Sequence, residues 1–197
     1  MQPSMPIILA STSPYRRQLL ERLRLPFEAV APGVEETLLP DEKPAGRALR
    51  LARMKAEALA NRYPDALIIG GDQVAALGDT VLQKPGIPER NAEQLARMRG
   101  RMHRLLTAVA LLHPASGRTV QFLNEARLWL RDDITDAALR AYVRADNPVN
   151  CAGGYKLESL GIALFSRIEC DDWTAIIGLP LLQLVRELRA FGIHVPG

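Results

Sequence analysis

The sequence is poor in aromatic residues and cysteines, and its charge is nearly balanced. Aromatic residues make up 5% of the 197 positions, and the formal net charge is +3. A protein that binds duplex nucleic acid usually combines a basic stripe with interleaved aromatic side chains, so we expect no stable nucleic-acid binding. The two cysteines, Cys151 and Cys170, match neither a CxxC nor a zinc spacing and are predicted to be reduced thiols.

Long apolar runs and several familiar catalytic motifs are also missing. A helix that crosses a bilayer needs ~20 consecutive apolar residues, and no segment approaches that length. The first ten residues lack the apolar core of a secretory signal. We therefore expect a cytoplasmic protein with no membrane partner. Walker A, GxGxxG, HExxH and GxSxG motifs are absent, and the three histidines lack the spacing of zinc ligands.

What the sequence does contain is an alternation of short apolar strands and amphipathic helices. The pattern predicts strands at 7–10, 27–30, 66–70, 105–112, 120–130 and 162–168, and a hairpin at 74–83. It predicts helices at 16–23, 45–62, 88–99, 134–144 and 180–191. Such alternation is typical of α/β proteins with a mixed twisted sheet flanked by helices. Because no linker or repeat interrupts it, we expect residues 1–197 to form one domain with two lobes around a central cleft.

A hydroxyl-rich turn at residues 11–13 leads into the first predicted helix. Such a turn presents N–H donors at the positive end of the helix dipole, where phosphate binds well. Arg16 shares its helix face with three leucines, and an arginine there is costly unless an anion or a carboxylate meets it. We therefore predict that Arg16 points inward to a ligand and Arg17 to solvent. An ordinary helix cap with two snorkelling arginines is the structural alternative.

Lys55 is the only lysine of the predicted helix 45–62, and it lies on the apolar face between Leu51 and Leu59. The chain has four lysines and 21 arginines, so its ordinary solvated surface uses arginine. A lysine kept on an apolar face is therefore a functional candidate. The structural alternative is a lysine whose ammonium group reaches water along that face.

Asp72 follows an apolar run and two glycines. We expect it at the carboxyl end of a buried strand, where α/β sheets place their ligands, and the glycines allow close approach of backbone or substrate. A carboxylate there could hold Mg²⁺ or take a proton from water. The alternative is a turn aspartate that binds its own backbone. Lys84, after the hairpin, could bring a second ammonium group to a phosphate.

Further acidic residues lie in loops. Glu35 and Glu36 are expected to be exposed to solvent, unless they bind a metal ion together with Asp72. A glycine-rich bend precedes Glu158, whose carboxylate could accept both N–H groups of a guanine edge. Asp172 and the aspartate before it are predicted to cap the dipole of a following helix. Carboxylates, lysines and an inward arginine without imidazoles indicate Mg²⁺-assisted phosphate chemistry.

Taken together, these segments resemble the Maf family of nucleotide pyrophosphatases. The matching segments occur in order from about residue 7 to residue 191, at 10–17, 35–37, 52–56, 70–73, 84–85, 152–158 and 178–180. The resemblance implies a Maf/ITPase-like fold and hydrolysis of the α–β phosphoanhydride of a nucleoside triphosphate. The products would be a monophosphate and pyrophosphate, and a divalent metal, Mg²⁺ or Mn²⁺, would be required.

The resemblance also implies a role for each matching residue. Asp72 would accept a proton from water, and together with Glu36 it would bind the metal. The groups that would hold the triphosphate are cationic or carry a hydroxyl: Ser11, Arg16, Lys55 and Lys84.

Three positions separate the branches of the family. Members that act on dTTP and UTP typically have arginine, threonine and glutamine where this sequence has Tyr15, Gln73 and Glu158. The pattern here is similar to the branch acting on 7-methyl-GTP, although Tyr15 replaces a tryptophan associated with that branch. Methylated guanine carries positive charge, which an aromatic face and a carboxylate favour. These three residues are therefore implied to bind the substrate.

Two alternatives stay open at this point. One is a dTTP and UTP pyrophosphatase of the same family. The other is a non-catalytic, nucleotide-binding regulator of cell division, an association that relatives of this family have carried. The presence of Lys55, Asp72 and Lys84 together favours an enzyme, because binding alone would not need all three. The sequence leaves a homodimer open.

Overall fold

The structure, a computed structural model that describes residues 5–196, contains one seven-stranded mixed sheet. Its strands are β1 (Ile7–Ala10), β2 (Glu28–Val30), β3 (Leu67–Leu77), β4 (Thr80–Leu82), β5 (Met102–His113), β6 (Arg118–Leu130) and β7 (Phe165–Glu169). Their order is β2-β1-β3-β5-β6-β7, with β4 paired to β3. β1 runs parallel to β2 and β3, and the other pairs are antiparallel.

Six α-helices accompany the sheet in the described part of the chain, so the predicted α/β class is confirmed. They are α1 (Pro14–Glu21), α2 (Pro44–Glu57), α3 (Pro88–Met98), α4 (Asp136–Asp146), α5 (Trp173–Ile177) and α6 (Leu181–Ala190). Within residues 5–196, none of the helices has the length and apolar character needed to span a bilayer.

The alternation of side chains along β3 divides the core between the two faces of the sheet. Ile68 and the other even-numbered apolar residues pack under α2. Leu67 and Ile69 pack with α1 and α6 on the opposite face. Ala75 and Leu77 point to that same face but pack with α3 and α4. One face thus carries a single core cluster, while the other carries two.

Strand β3 is longer than the sequence pattern indicated. It was expected to end at Gly70 with a turn at 71–73, and the expectation that Asp72 follows the end of the strand is wrong. Asp72 lies inside β3, because β5 pairs with β3 continuously from Ile68 to Ala76 and carries the ladder past both glycines. The predicted hairpin is confirmed, with Leu77 paired to Thr80.

Other boundaries differ for local reasons. The second helix ends at Glu57 and continues only as turns, whereas the prediction extended it to 62. Residues 160–164 form a 3₁₀ segment, and β7 begins only at 165, so the strand predicted at 162–168 is partly wrong. Helix α5 is five residues long, too short for apolar periodicity to reveal, and Gly178 ends it at φ 128°. Asp172 caps this helix, as predicted.

Gly70 allows α2 to pack directly on β3. A Cβ at this position would overlap the carbonyl oxygen of Ala52 and would lie 2.8 Å from the backbone nitrogen of Ala56. Both atoms belong to the helix backbone and cannot rotate away. The glycine is therefore required by helix–sheet contact rather than by a turn.

A buried histidine lies in the cluster between the sheet and helices α3 and α4. His103 is fully buried on β5, and its Nε2 lies 2.8 Å from the hydroxyl of Tyr155. The two rings meet edge to face. Burial lowers the pKa of His103 to about 4, because the core disfavours its charged form.

Replacing Gly70 with alanine is expected to destabilise the fold by about 3 kcal/mol, because α2 must move to accommodate the methyl group. Urea unfolding followed by circular dichroism measures the change. Gly46→Ala on the same helix is the control, since a Cβ there meets nothing within 4 Å. It should change the free energy of unfolding by less than about 1 kcal/mol, toward greater stability. Equal effects of the two substitutions would contradict the packing argument.

The buried histidine predicts a pH dependence of stability. Its pKa is about 4 in the fold, against 6.5 ordinarily. Below pH 6.5 the unfolded chain therefore binds a proton that the folded chain does not, and stability falls as the pH drops toward 4, by roughly 3 kcal/mol in total. Unfolding measured at several pH values should show this slope flattened in His103→Gln but kept in His113→Gln. An unchanged slope in His103→Gln would exclude this source.

Candidate active site

The candidate site lies where β1 stops beside β3. β1 pairs with β3 as far as Ala10 and Gly70, and β4 joins the same edge only at Ala75. Between these two points, the described part of the chain places no strand against that edge of β3. The turn that follows β1 and the start of α1 therefore meet β3 at Asp72. This interruption brings groups from both faces of the sheet to one place.

A cleft of about 670 Å³ opens at this interruption, a volume typical of small-molecule sites. All nine residues predicted from the sequence line it: Ser11, Tyr15, Arg16, Glu36, Lys55, Asp72, Gln73, Lys84 and Glu158. They come from α1, α2, β3 and four loops. Their convergence is therefore a property of the fold, while their individual roles stay predictions.

Lys55 joins two carboxylates at the bottom of the cleft. Its Nζ lies 2.6 Å from Oδ1 of Asp72 and 2.6 Å from Oε1 of Glu36. Lys55 and Asp72 are only 7% and 6% exposed, so each charge depends on its partner. The prediction that Lys55 lies on the buried side of its helix is confirmed.

Glu36 is held in its ionised form by the cations around it. Its partial burial would by itself raise its pKa. The hydrogen bond from Lys55 and the charges of Lys55, Lys84 and Arg16 outweigh burial, so the pKa of Glu36 lies below its ordinary value. Lys84 is exposed at the rim of the cleft, after β4.

A buried arginine fixes the loop that carries Glu36. Arg47 is 6% exposed and donates hydrogen bonds to the carbonyl oxygens of Glu36, at 2.9 Å, and Thr37, at 3.0 Å. The sequence analysis missed this residue. A signal was available, because Arg47, Leu51 and Lys55 follow one another at intervals of four residues and share one helix face.

Arg16 is oriented by two contacts. Its Nε donates to the carbonyl oxygen of Gly178 at 3.0 Å, and its Nη1 donates to Oγ of Ser11 at 3.4 Å. A Cβ at Gly71 would lie 3.2 Å from Nε, so this glycine leaves room for the guanidinium group. Arg17 is exposed and pairs with Glu21. The predicted inward and outward directions of the two arginines are confirmed.

The environment of Arg16 is unusual for an arginine. Burial lowers its pKa, while the charges of Asp72 and Glu36 act in the opposite direction. Two of its five N–H groups are committed to Gly178 and Ser11. The remaining donors lie in the cleft and are available to an anion.

Gln73 is tied to the fold through its amide nitrogen. Nε2 lies 3.0 Å from Oγ1 of Thr107, 2.9 Å from the carbonyl oxygen of Ala175 and 3.0 Å from that of Ile176. These contacts dock α5 on the sheet. Only the amide oxygen of Gln73 is left for a ligand in the cleft, which narrows its predicted substrate-binding role to that of an acceptor.

The opposite end of the cleft combines an aromatic ring, a thiol and a carboxylate. Burial raises the pKa of Tyr15, and the nearby Cys151 and Glu158 raise it further. Cys151, which the sequence analysis did not place in the site, lines the cleft beside Tyr15. Lys156 also lines this end, but its Nζ donates to the carbonyl oxygen of Asp146 at 2.6 Å. Glu158 is exposed and accessible to a ligand.

The carboxylates of Asp72 and Glu36 could bind a divalent metal only together with oxygen atoms of a bound ligand. Among residues 5–196, no group of three or more His, Cys, Asp and Glu side chains could hold a metal ion. Asp72 and Glu36 each use one oxygen to bind Lys55 and keep a second oxygen. Mg²⁺ is commonly bound by one or two carboxylates together with substrate phosphates, so the predicted pair suits that mode.

Comparison with known proteins finds matches over nearly the whole chain. The family model described as Maf-like protein matches residues 6–191. A protein of Alkalilimnicola ehrlichii named 7-methyl-GTP pyrophosphatase is 48% identical, over 98% of this chain and 96% of its own length. Proteins of the same name from Cupriavidus pinatubonensis and Pseudomonas aeruginosa are 49% and 44% identical, over 94% and 96% of this chain and 93% and 98% of theirs.

Among solved structures, the Staphylococcus aureus Ham1 protein matches with a TM-score of 0.47 and 15% identity. The match covers 64% of this chain and 72% of that chain.

Removing the lysine is expected to raise the pKa of Glu36. In Lys55→Gln, Glu36 loses the hydrogen bond and the nearest positive charge that lower its pKa, while its burial stays. Carbon-detected NMR titration of the side-chain carboxyl measures the shift. Arg53→Gln is the control, because Arg53 lies on the same helix but pairs with the exposed Glu57. A Glu36 pKa that is equal in Lys55→Gln and in the unmodified protein would contradict the ion pair.

Proposed function

The chain belongs to the Maf family, and on that premise we propose that it is a hydrolase that converts 7-methyl-GTP to its monophosphate and pyrophosphate. The cleavage would occur at the α–β phosphoanhydride. Such an enzyme removes modified nucleotides, a housecleaning activity. The cytoplasmic location expected from the sequence stays a prediction.

The observation that carries this proposal is the ion pair of Lys55 with Asp72 and Glu36 inside the cleft. A triphosphate brings several negative charges, and Arg16, Lys55 and Lys84 line the cleft with positive charges. Preorganised cations stabilise the charge that develops on phosphate oxygens in the transition state. A neutral ligand carries no net charge for three cations to attract, so the cations favour an anionic ligand.

The chain's own residues account for the proton balance of the hydrolysis. The oxygen of water forms a bond to the α-phosphorus, the bond from that phosphorus to the bridging oxygen breaks, and pyrophosphate leaves. Asp72 accepts the proton released by water. Lys55 holds Oδ1 of Asp72 at 2.6 Å, which orients the carboxylate in the cleft.

A divalent cation, Mg²⁺ or Mn²⁺, would be held by Glu36 and Asp72 together with phosphate oxygens of the nucleotide. When bound, it would neutralise negative charge on the phosphates. Lys55 lies between the two carboxylates and limits their mutual repulsion before the nucleotide arrives. Ser11 and Arg16 would then bind phosphate oxygens from the α1 side of the cleft.

The far end of the cleft suits a methylated guanine. Tyr15 offers an aromatic face and Glu158 a carboxylate, and both groups favour a base that carries positive charge. The relatives named 7-methyl-GTP pyrophosphatase support this choice over dTTP and UTP. Tyr15 would stack on the base, while Glu158 would accept its N–H groups.

A nucleotide panel tests the proposed substrate. With Mg²⁺ present, pyrophosphate release should be fastest from 7-methyl-GTP, compared with GTP, dTTP and UTP at equal concentration. Faster turnover of dTTP and UTP would assign the chain to the other branch of the family. Salt-sensitive DNA binding without hydrolysis of any nucleotide would instead favour the regulatory alternative.

The proposed base is tested by substitution. Asp72→Asn should lower kcat at least about 100-fold, because the amide cannot accept the proton. Asp79→Asn is the matched control, since Asp79 lies in the exposed turn of the same hairpin and pairs with Lys43. Circular dichroism should show both variants folded. Full turnover in Asp72→Asn would remove Asp72 from the mechanism.

A further inference from the structure

A buried aspartate outside the cleft connects two helices. Asp172 is 4% exposed and accepts three hydrogen bonds. Its Oδ1 accepts from the backbone nitrogen of Thr174 at 3.0 Å and from its hydroxyl at 2.5 Å, while Oδ2 accepts from the nitrogen of Leu182 at 2.8 Å. The carboxylate therefore caps α5 and also binds the first turn of α6.

The turn between these helices is held from within by the same residues. Oγ1 of Thr174 accepts from the nitrogen of Leu181 at 2.8 Å. The carbonyl oxygen of Thr174 accepts from the nitrogens of Gly178 and Leu179, each at 3.2 Å. Gly178 has φ 128°, a conformation that favours glycine. Asp172 and Thr174 thus supply several of the hydrogen bonds that hold the turn.

This turn lines the cleft at Gly178 and is hydrogen-bonded there to Arg16. The carbonyl oxygen of Gly178 accepts from Nε of Arg16 at 3.0 Å. Arg16 reaches Gly178 from a distance of 162 positions in the chain, so no local structure fixes this contact. A displacement of the turn would therefore rotate or release the guanidinium group that lines the cleft.

Helix α5 is also hydrogen-bonded to the sheet. Gln73 binds the carbonyl oxygens of Ala175 and Ile176, and the hydroxyl of Thr107 also donates to Ala175 at 2.9 Å. These bonds hold the helix against the sheet, and the carbonyl oxygen of Ala175 also accepts from the nitrogen of Gly178 at 3.0 Å. Asp172 adds the bond that ties this turn to the first turn of α6.

We propose that Asp172 is a positioning residue for phosphate binding, which acts through the carbonyl oxygen of Gly178 on the guanidinium group of Arg16. This inference rests on the proposed function, in which Arg16 binds a phosphate oxygen. A carboxylate suits the position because all three of its neighbours are donors, and it can only accept. An asparagine would direct its own N–H groups at one of them.

A double-mutant cycle tests whether the two residues act together. Asp172→Asn should lower kcat/KM for 7-methyl-GTP about 10-fold, mainly through a higher KM, because the phosphate contact is misplaced. In the Arg16→Lys background, which lacks the Nε donor, the same change should cost less than about 2-fold, since coupled residues are not additive. Asp171→Asn, an exposed neighbour with the same change of charge, should leave kcat/KM unchanged.

The outcomes separate positioning from mere stability. A loss from Asp172→Asn that is equal in both backgrounds would overturn the proposal, as would a change in kcat with no change in KM. If Asp172→Asn does not fold, Asp172→Ser serves instead, because serine caps α5 but is too short to reach Leu182. An unchanged KM in the folded serine variant would also overturn the proposal.

Binding of pyrophosphate distinguishes a failure here from a failure of the proposed function. If the unmodified protein releases no pyrophosphate from 7-methyl-GTP, the proposed function fails. Calorimetric titration with pyrophosphate and Mg²⁺ then tests the coupling alone. Weaker binding in Asp172→Asn, and no further weakening in the Arg16→Lys background, would support the positioning role. Equal weakening in both backgrounds would refute it.

Discussion

The ion pair of Lys55 with Asp72 and Glu36 is the interaction on which the rest of the site depends. It joins a helix, a strand and a loop through three side chains, of which Lys55 and Asp72 are 17 positions apart in the chain. A buried ammonium group without partners would be strongly destabilising, and so would a buried carboxylate. The ion pair therefore holds α2, β3 and the loop that carries Glu36 in fixed positions relative to one another. Arg47 reinforces the loop by binding its backbone carbonyls.

Two adjacent glycines make this arrangement sterically accessible. Gly70 lets the backbone of α2 touch β3 on one face, which places Lys55 within reach of Asp72. Gly71 points to the opposite face and leaves room for Arg16. Because successive residues of a strand face opposite sides, neighbouring positions serve two different layers of the fold. The early end of β1 then opens the edge of the sheet, so that both layers contribute to one cleft.

Residues on regular elements were predictable, because helical register alone indicates which face a side chain occupies. Arg16 and Lys55 were placed correctly in this way, and Arg47 follows the same rule although it was overlooked. Asp72 lies in the cleft, but the local reason for expecting it there is wrong, since it lies inside β3 rather than after its end. Two successive glycines would look the same in the sequence whether the strand ended in a turn or continued under a closely packed helix. Only the pairing of β3 with β5 shows that the strand continues. Cys151 lies in a loop, and Gln73 contacts residues of β5 and α5 that are 34 to 103 positions away in the chain, so no periodicity describes these placements.

The sequence by itself determined the α/β class, the faces of the helices and the set of ionisable groups, because these follow from local spacing and from residue chemistry. Tertiary structure alone decided that Gly178 orients Arg16, that Gln73 docks α5 and that one ammonium group serves two carboxylates. Those contacts join residues up to 162 positions apart. Their geometry follows from strand order and helix packing, and neither is encoded in any short segment.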